Sequence, residues 1–347
     1  MRVVPSTQAP ADALLYLSAA EVAELVKAID PVEVVAGAFL ALRDGRAGIT
    51  PEAALRWTAA DGTAARSLIL PARYAGAYGC KIINACIGNP DRGLPRAHGL
   101  IVLADPDTAA PAGILEGGLI SALRTAAVST VALRAVRELG AVRHLALLGC
   151  GRQARTHLEL LAARTRLATV TVYDAVPERA AAFARAAGAL VPAAGVTVAD
   201  SARAAVSTAE VSIAATTTTS PYVPLEWLPR DAVFLNVSLD DATEELLLGC
   251  GYLVVDDWAL VREDETRLLG RLARAGRVSG PGVPAPPGGR AVDAELATLV
   301  AGSGPGPTGS AGPVVVNPFG MGIHDIAIGA GVYAAALERG AGTWLPR

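Results

Sequence analysis

The sequence predicts an α/β protein in two parts: a doubly wound parallel sheet, and an α+β region built from the N-terminal stretch and the last helix. Three observations predict it. A glycine-rich turn at 149–154 lies between an apolar run and a helical pattern. From about residue 144 onward, short apolar runs alternate with helical stretches, the rhythm of parallel strands joined by crossover helices. Before residue 105 the texture differs, with alternating and β-branched runs separated by turns, as antiparallel pairing requires. At 347 residues the chain has room for two domains and a large core.

The elements follow in order. Ser18-Ala19-Ala20-Glu21 forms a capping box, and Val22, Leu25, Val26 and Ile29 give the helix it opens an apolar face. Strand-like runs lie around 54–58, 66–70, 80–84 and 97–104, divided by turns such as Ala60-Asp61-Gly62 and Asn89-Pro90-Asp91. Residues 119–138 are helical in pattern. His144–Leu148 is a short, mostly apolar run that reads as a buried strand; Gly149-Cys150-Gly151-Arg152-Gln153-Ala154 follows at once, then a helix carrying His157, Leu158, Leu160 and Leu161. Thr169–Tyr173 is the next strand and ends in Asp174. Val211–Ala215, Ala232–Val237 and Leu253–Val255 are later core strands. The Gly- and Pro-rich stretches 279–289 and 302–313 read as surface loops. Val314–Val316 and a glycine-rich turn lead into a final helix over roughly 323–339.

Strand, glycine turn, helix, strand and terminal acid is the order a dinucleotide site needs. Glycine at 149 and 151 permits the tight turn and close approach of a pyrophosphate, and the helix N-terminus supplies N–H groups and a positive dipole end. Arg152, Gln153 and Ala154 complete that turn, and Asp174 is placed to accept the ribose hydroxyls, so the cofactor expected is NAD. A 2′-phosphate would meet the Asp174 carboxylate, although Arg179 lies nearby. The remaining composition is restrained. Net charge is −3 with scattered Lys and Arg and few aromatics, which argues against a nucleic-acid partner. No uninterrupted apolar run reaches the ~20 residues of a membrane span, and Met1–Pro10 lacks the pattern of a signal peptide, so a cytoplasmic protein is expected. Cys80, Cys86, Cys150 and Cys250 have no CxxC spacing, and the four histidines form no HExxH-like pair; no metal is expected.

Three cations precede the fingerprint. Arg56 and Lys81 lie in strands, and Arg124 lies on a helix within Leu123-Arg124-Thr125-Ala126-Ala127, where an unpaired charge among apolar neighbours would be costly. Each is either a solvated charge or an anion ligand. Pro111–Ala127, ending in Ser121-Ala122-Leu123-Arg124-Thr125-Ala126-Ala127, together with the fingerprint about 25 residues later, resembles the ornithine cyclodeaminase/μ-crystallin family, and the likeness runs nearly the whole chain. Leu55-Arg56-Trp57, Leu94-Pro95-Arg96-Ala97, Val255-Asp256-Asp257-Trp258 and Asn317–Gly322 with Asp325 resemble its 2,3-diaminopropionate-forming branch, known from siderophore and peptide-antibiotic pathways.

The resemblance implies a substrate-binding and dimerisation domain (1–125 with 320–347), an inserted Rossmann domain (126–319) and a homodimer. It implies carboxylate binding by Arg56, Lys81 and Arg124, with Lys81 also near the chemistry. Thr125 and the 149–154 turn would contact phosphate, Thr216 would lie in a loop over the cofactor, with Ser238 in the same cofactor set, and Met321 and Gly322 would lie near the nicotinamide. Asp241 matches the catalytic carboxylate, with Asp240 beside it as the alternative. The substrate implied is a secondary amine joining glutamate to a diaminopropionate unit, whose carboxylates suit a site with several cations. Departures from the family also stand in the sequence. Ser238-Leu239-Asp240 replaces a Gly-rich approach and Glu245 a lysine of the ornithine-cyclising members; the run 82–90 is atypical, and His324 takes an acidic position. A cyclodeaminase, an imine reductase or amino-acid dehydrogenase, and a non-enzymatic binding protein remain alternatives. As for His324, it is an added acid/base or a polar residue at a helix start.

Overall fold

Ser18 caps the first helix as its sequence predicts, accepting from Glu21 N while the Glu21 side chain accepts from Ser18 N. The computed structural model describes residues 12–347; the reading of Met1–Pro10 lies outside them. The chain forms two compact units, one running up to Arg124 and including Met321–Arg347, the other Thr125–Gly320.

The first unit begins with β1 (Ala13–Leu17), α1 (Ala19–Leu25) and α2 (Pro31–Arg43). Next come β2 (Ala47–Ile49), β3 (Ala53–Thr58), β4 (Ala64–Tyr74), β5 (Ala77–Cys86), β6 (Ala97–Ala104) and β7 (Pro111–Glu116). Helix α3 (Gly118–Val136) starts under the Glu116 carboxylate, which accepts from Gly118 N and Leu119 N. Among the described residues α3 is the one helix long and apolar enough to cross a membrane; 56% of that stretch is buried within the fold, and Arg124 and Arg134 interrupt it.

The second unit alternates strand and helix. Its elements are β8 (His144–Leu148), α4 (Arg152–Ala162), β9 (Thr169–Tyr173), α5 (Pro177–Leu190), β10 (Gly195–Val198), α6 (Ala202–Val206), β11 (Val211–Ala214) and β12 (Val233–Asn236). After these follow α7 (Glu244–Gly249), β13 (Tyr252–Val255), α8 (Trp258–Glu263), α9 (Leu268–Arg274), β14 (Val278–Ser279), β15 (Arg290–Ala291), β16 (Ala294–Glu295), α10 (Leu296–Val300) and β17 (Val314–Val316). Eight strands pair in parallel in the order β10-β9-β8-β11-β12-β17-β13-β16. Strand order reverses between β8 and β11, which is where a doubly wound sheet opens a ligand crevice at its carboxyl edge. The inner strands are continuous apolar runs because both faces are covered: Val233–Asn236 and Tyr252–Val255 are buried throughout.

The chain then returns to the first unit with α11 (Gly322–Arg339) and β18 (Thr343–Pro346). Its sheet runs β18-β1-β7-β6-β5-β4-β2, with β3 pairing β4. The antiparallel expectation holds from β3 to β6; β2 and β7 extend it, β1 lies parallel to β7 and β18 closes the edge against β1, four strands absent from the sequence reading. One face of this sheet packs on α11, whose glycines let it approach closely: Gly329 lies against Ile101, and Gly331 against Ile29. Alternation along β3 to β6 sorts the cations, placing Arg56, Arg66 and Lys81 on one face and leaving Leu55, Trp57, Ile69, Tyr78 and Leu100 on the other.

Candidate active site

The glycine turn joins β8 to α4 as predicted. Gly149 has φ +86°, a conformation that disfavours any side chain, and a Cβ there would lie 2.8 Å from Ala215 O. At Gly151, the N-cap of α4, a Cβ would meet nothing within 4 Å, and no side chain caps the helix. Uncapped N–H groups at an open helix start are what a diphosphate needs, so the residues present fit the dinucleotide. Gln153 lies in the first turn with a buried, unpaired side-chain oxygen, and Ala154 packs inward. Asp174 ends β9 and is fixed by two backbone donors, Cys150 N at 2.8 Å and Val176 N at 2.9 Å. A cavity of ≈ 330 Å³ opens beside the turn, lined by Cys150, Gly151, Arg152, Arg155, Arg179 and Phe183. Burial and the Asp174 charge push the Cys150 thiol up to about 12, so it stays protonated and is no nucleophile.

Thr216 and Ser238 follow β11 and β12, neighbouring strands on one side of this crevice, and both converge on Asp241. Thr216 Oγ1 donates to Asp241 Oδ1 at 2.7 Å, Ser238 Oγ donates to Asp241 Oδ2, and Thr216 N donates to Ser238 Oγ at 3.1 Å. Tyr222, unremarked in the sequence, adds a third hydroxyl. Asp241 is fully buried; desolvation raises its pKa above the usual carboxylate range, opposed by the hydrogen bonds from Ser238, Thr216 and Tyr222. Asp240 does a different job: it accepts from Leu268 N at the start of α9 at 2.6 Å and pairs with Arg271 at 3.1 Å. The two neighbouring acids are therefore distinguished by geometry, Asp241 facing hydroxyls and Asp240 anchoring a helix.

Two of the branch-like motifs prove to be one physical device. The buried Asp256 carboxylate accepts from Phe319 N at 2.8 Å and Gly320 N at 2.6 Å, and Arg267 donates to Pro318 O while lying over the Phe319 ring. A strand-end acid thus holds the turn that precedes Met321 and Gly322, the N-cap and first residue of α11.

In the first unit, Lys81 and Arg124 are brought together by Asp325, which the sequence reading left outside the site. Lys81 Nζ lies 2.7 Å from Asp325 Oδ2, and Arg124 Nε lies 3.4 Å from the same oxygen. The exposures of Lys81, Asp325 and Arg124 are 1%, 0% and 14%. Burial and then the Arg124 charge pull the Lys81 ammonium down to about 8, partly offset by Asp325. Two cations sharing one acid keep a net positive charge, which suits a carboxylate ligand. Thr125 is the next residue along α3. Arg56 shares Lys81's sheet face but sits four residues further along, in an exposed edge strand.

His324 is not a solvent-facing helix-start residue. It is fully buried, its ring 4.6 Å from that of Phe39, and neither ring nitrogen has a protein partner. Burial first, then Arg124 and Lys81, hold its pKa well below the ordinary histidine value, so it is neutral. Among the described residues no group of three or more His, Cys, Asp or Glu is arranged to hold a metal ion.

N-((2S)-2-amino-2-carboxyethyl)-L-glutamate dehydrogenase of Staphylococcus aureus is 32% identical over 285 residues, covering 81% of this chain and 82% of that protein. The crystal structure of CmnK superposes with a TM-score of 0.88 at 34% identity, over 96% of this chain and 98% of that one. Thermococcus litoralis Δ(1)-pyrroline-2-carboxylate reductase, in complex with NADH and L-proline, gives 0.82 at 26% identity, over 95% and 99%. The sequence model of the ornithine cyclodeaminase/mu-crystallin family matches residues 13–340, and the chain belongs to that family.

Proposed function

We propose that the protein is an NAD-dependent oxidoreductase that cleaves N-(2-amino-2-carboxyethyl)-glutamate to 2,3-diaminopropionate and 2-oxoglutarate. One observation carries the reading. The buried carboxylate of Asp241 hangs from Thr216, the residue whose backbone borders the Gly149 turn, so an acid/base group is built onto the dinucleotide crevice itself. The likeness to the S. aureus dehydrogenase and to CmnK supports the substrate, and Glu245 in place of a lysine speaks against ornithine cyclisation.

The diphosphate is assigned to the N-terminus of α4, the ribose to Asp174 and the adenosine end to the arginine-lined cavity; Thr125, Ser238, Met321 and Gly322 complete the cofactor set. When bound, NAD accepts the hydride released from the glutamate Cα. The protein's residues do the rest. Lys81, Arg124 and Arg56 hold substrate carboxylates. Asp241, whose pKa burial raises above the usual carboxylate range, takes the proton of the secondary amine, then orients the water that adds to the C=N carbon. Collapse of the carbinolamine returns that proton to the leaving amine, and the sum of substrate, water and NAD⁺ gives the two products, NADH and one proton. Diaminopropionate so formed would serve siderophore or peptide natural-product assembly in the cytoplasm.

A homodimer belongs to the same reading. The sheet face opposite α11 exposes Leu55 at 67%, Trp57 at 46% and Tyr78 at 43%, and large apolar side chains left in water on one sheet face suit a protein interface. Light scattering should give twice the chain mass. The decisive experiment is NADH formation at 340 nm from the adduct, with products identified by mass and ornithine, lysine and alanine run alongside. Asp241→Asn should abolish turnover while NAD binds within about threefold of the parent protein; full turnover in that variant would remove Asp241 from the chemistry.

A further inference from the structure

Asp241 has 0% of its surface exposed, yet the acid/base step assigned to it needs a proton from a substrate nitrogen. A carboxylate with no surface exchanges a proton with a ligand through a group hydrogen-bonded to it. Three hydroxyls are so bonded, from Thr216, Ser238 and Tyr222, and all three residues are half-buried. Two of them are also engaged on their accepting side: Thr216 Oγ1 accepts from Thr218 N at 3.1 Å, and Ser238 Oγ accepts from Thr216 N at 3.1 Å. Tyr222 donates to Asp241, and among the described residues no donor reaches its hydroxyl oxygen, so its lone pairs are open to a ligand. The backbone holds the phenol beside the acid, because Tyr222 N and Val223 N both donate to Asp241 O, at 3.0 and 2.9 Å. Its ring packs against the apolar core of the second unit, which leaves the polar tip as the working end.

We infer that Tyr222 is a catalytic residue, its phenol standing between the substrate nitrogen and Asp241 and passing the proton from one to the other. The inference rests on the reading above, in which a secondary amine is oxidised. In the forward step the N–H bond breaks as Tyr222 Oη takes that proton, and the original Oη–H bond breaks as Asp241 takes its proton. The phenol is neutral before and after, and the nitrogen keeps the electron pair that drives hydride departure. On collapse of the carbinolamine, Asp241 returns its proton to Tyr222, and Tyr222 gives its own to the departing nitrogen. A phenol suits the relay better than the hydroxyls of Thr216 or Ser238, being the more acidic, with an ordinary pKa of about 10. Burial first, then the Asp241 charge, push the Tyr222 value up, so phenolate does not accumulate.

The test is a single turnover of saturating adduct to NADH, followed by stopped flow from pH 6 to 10, so that product release does not mask the step. Tyr222→Phe keeps the ring and should slow turnover about 100-fold or more at every pH, the low end of what a positioned proton-transfer group contributes, with adduct and NAD affinities within about threefold. A purely structural Tyr222 would only tune Asp241: losing a hydrogen bond that lowers its pKa would move the acid limb to higher pH, and the rate would return to the parent's at the alkaline end. That recovery, or equal rates throughout, overturns the relay. The other groups acting on this limb, Asp240 on the acid and Tyr173 and Asp174 on the phenol, are the same in both proteins. If Tyr222→Phe folds poorly, 3,5-difluorotyrosine at position 222 keeps ring and hydroxyl but is more acidic; it should change the rate at least threefold, and an unchanged rate overturns the relay. NADH from the parent and equally from Tyr222→Phe keeps the substrate and rejects the relay. No NADH from the adduct rejects the substrate, and the same comparison then runs with whichever of ornithine, lysine and alanine is oxidised, since each must lose an amine proton. A parent that oxidises none of the four overturns both.

Discussion

Replacing Asp325 by asparagine tests the electrostatic core of the first unit. Its carboxylate is fully buried and serves Lys81 at 2.7 Å and Arg124 at 3.4 Å through one oxygen. Asparagine keeps the volume and an acceptor, so the perturbation is the charge. Both cations would then share a desolvated space without an anion, and removing one partner of a buried pair costs about 3–5 kcal/mol. Arg124 retains some solvent contact, which places the expected loss near the lower end, about 3 kcal/mol. With an m-value of about 3 kcal/mol per molar urea, the unfolding midpoint followed by far-UV circular dichroism should fall by about 1 M. The Lys81 ammonium, already at about 8, should drop further, because the one acid that raises it by contact is gone. Adding Lys81→Met to Asp325→Asn should recover part of the loss, since a methionine needs no counter-charge. A midpoint change below 0.3 M, or strict additivity of the two substitutions, refutes the shared-acid account: about 1 kcal/mol is what an exposed ion pair yields.

Lys81→Ala and Arg124→Ala should each raise KM for the acidic substrate roughly ten- to a hundredfold, the worth of a charged hydrogen bond, with NAD affinity unchanged; loss of NAD binding instead would show that these side chains do not serve substrate. Because Lys81 deprotonates at about 8, KM for a carboxylate substrate should climb above that pH in the parent, and a flat profile from pH 7 to 9 would deny it a charged role. Gly149→Ala forces a Cβ to within 2.8 Å of Ala215 O at a positive φ, so NAD affinity should fall at least tenfold by fluorescence titration, and an unchanged Kd would mean that the turn does not seat the diphosphate. His157, buried between Gln153 O and Ser129 Oγ, has its pKa pulled down to about 4 by desolvation. The unfolded chain therefore binds the proton first, and stability present above about pH 6.5 is lost as pH falls toward 4, on the order of 3 kcal/mol in all. His157→Gln should flatten that part of the pH dependence; comparing it with the parent separates the histidine from buried acids such as Asp241, whose raised values act with the opposite sign.

The strand–turn–helix order around Gly149, the capping box at Ser18 and the alternation of β3 to β6 were readable because each is a local pattern: backbone freedom, a hydrogen bond across three residues, a period of two. For the same reason the helix of α3 and the apolar strands β8, β11, β12 and β13 stand close to where their periodicity predicts. Strands β1 and β18 were not readable, because their pairing joins residues more than 300 positions apart and leaves no local trace. Lys81 and Asp325 are 244 residues apart, and only the packing of α11 on β5 turns a lysine, an arginine and an aspartate into one buried charged group. Asp240 and Asp241 are indistinguishable as neighbours in sequence; the directions of the two side chains separate an anchor for α9 from an acid held by hydroxyls. His324 shows the same limit, since its place at a helix start says nothing of the face it occupies, and burial against Phe39 is settled by α2 alone. Residue type and short-range spacing thus carry the chemistry available to this chain, while long-range packing decides which of those groups are desolvated, paired and held together.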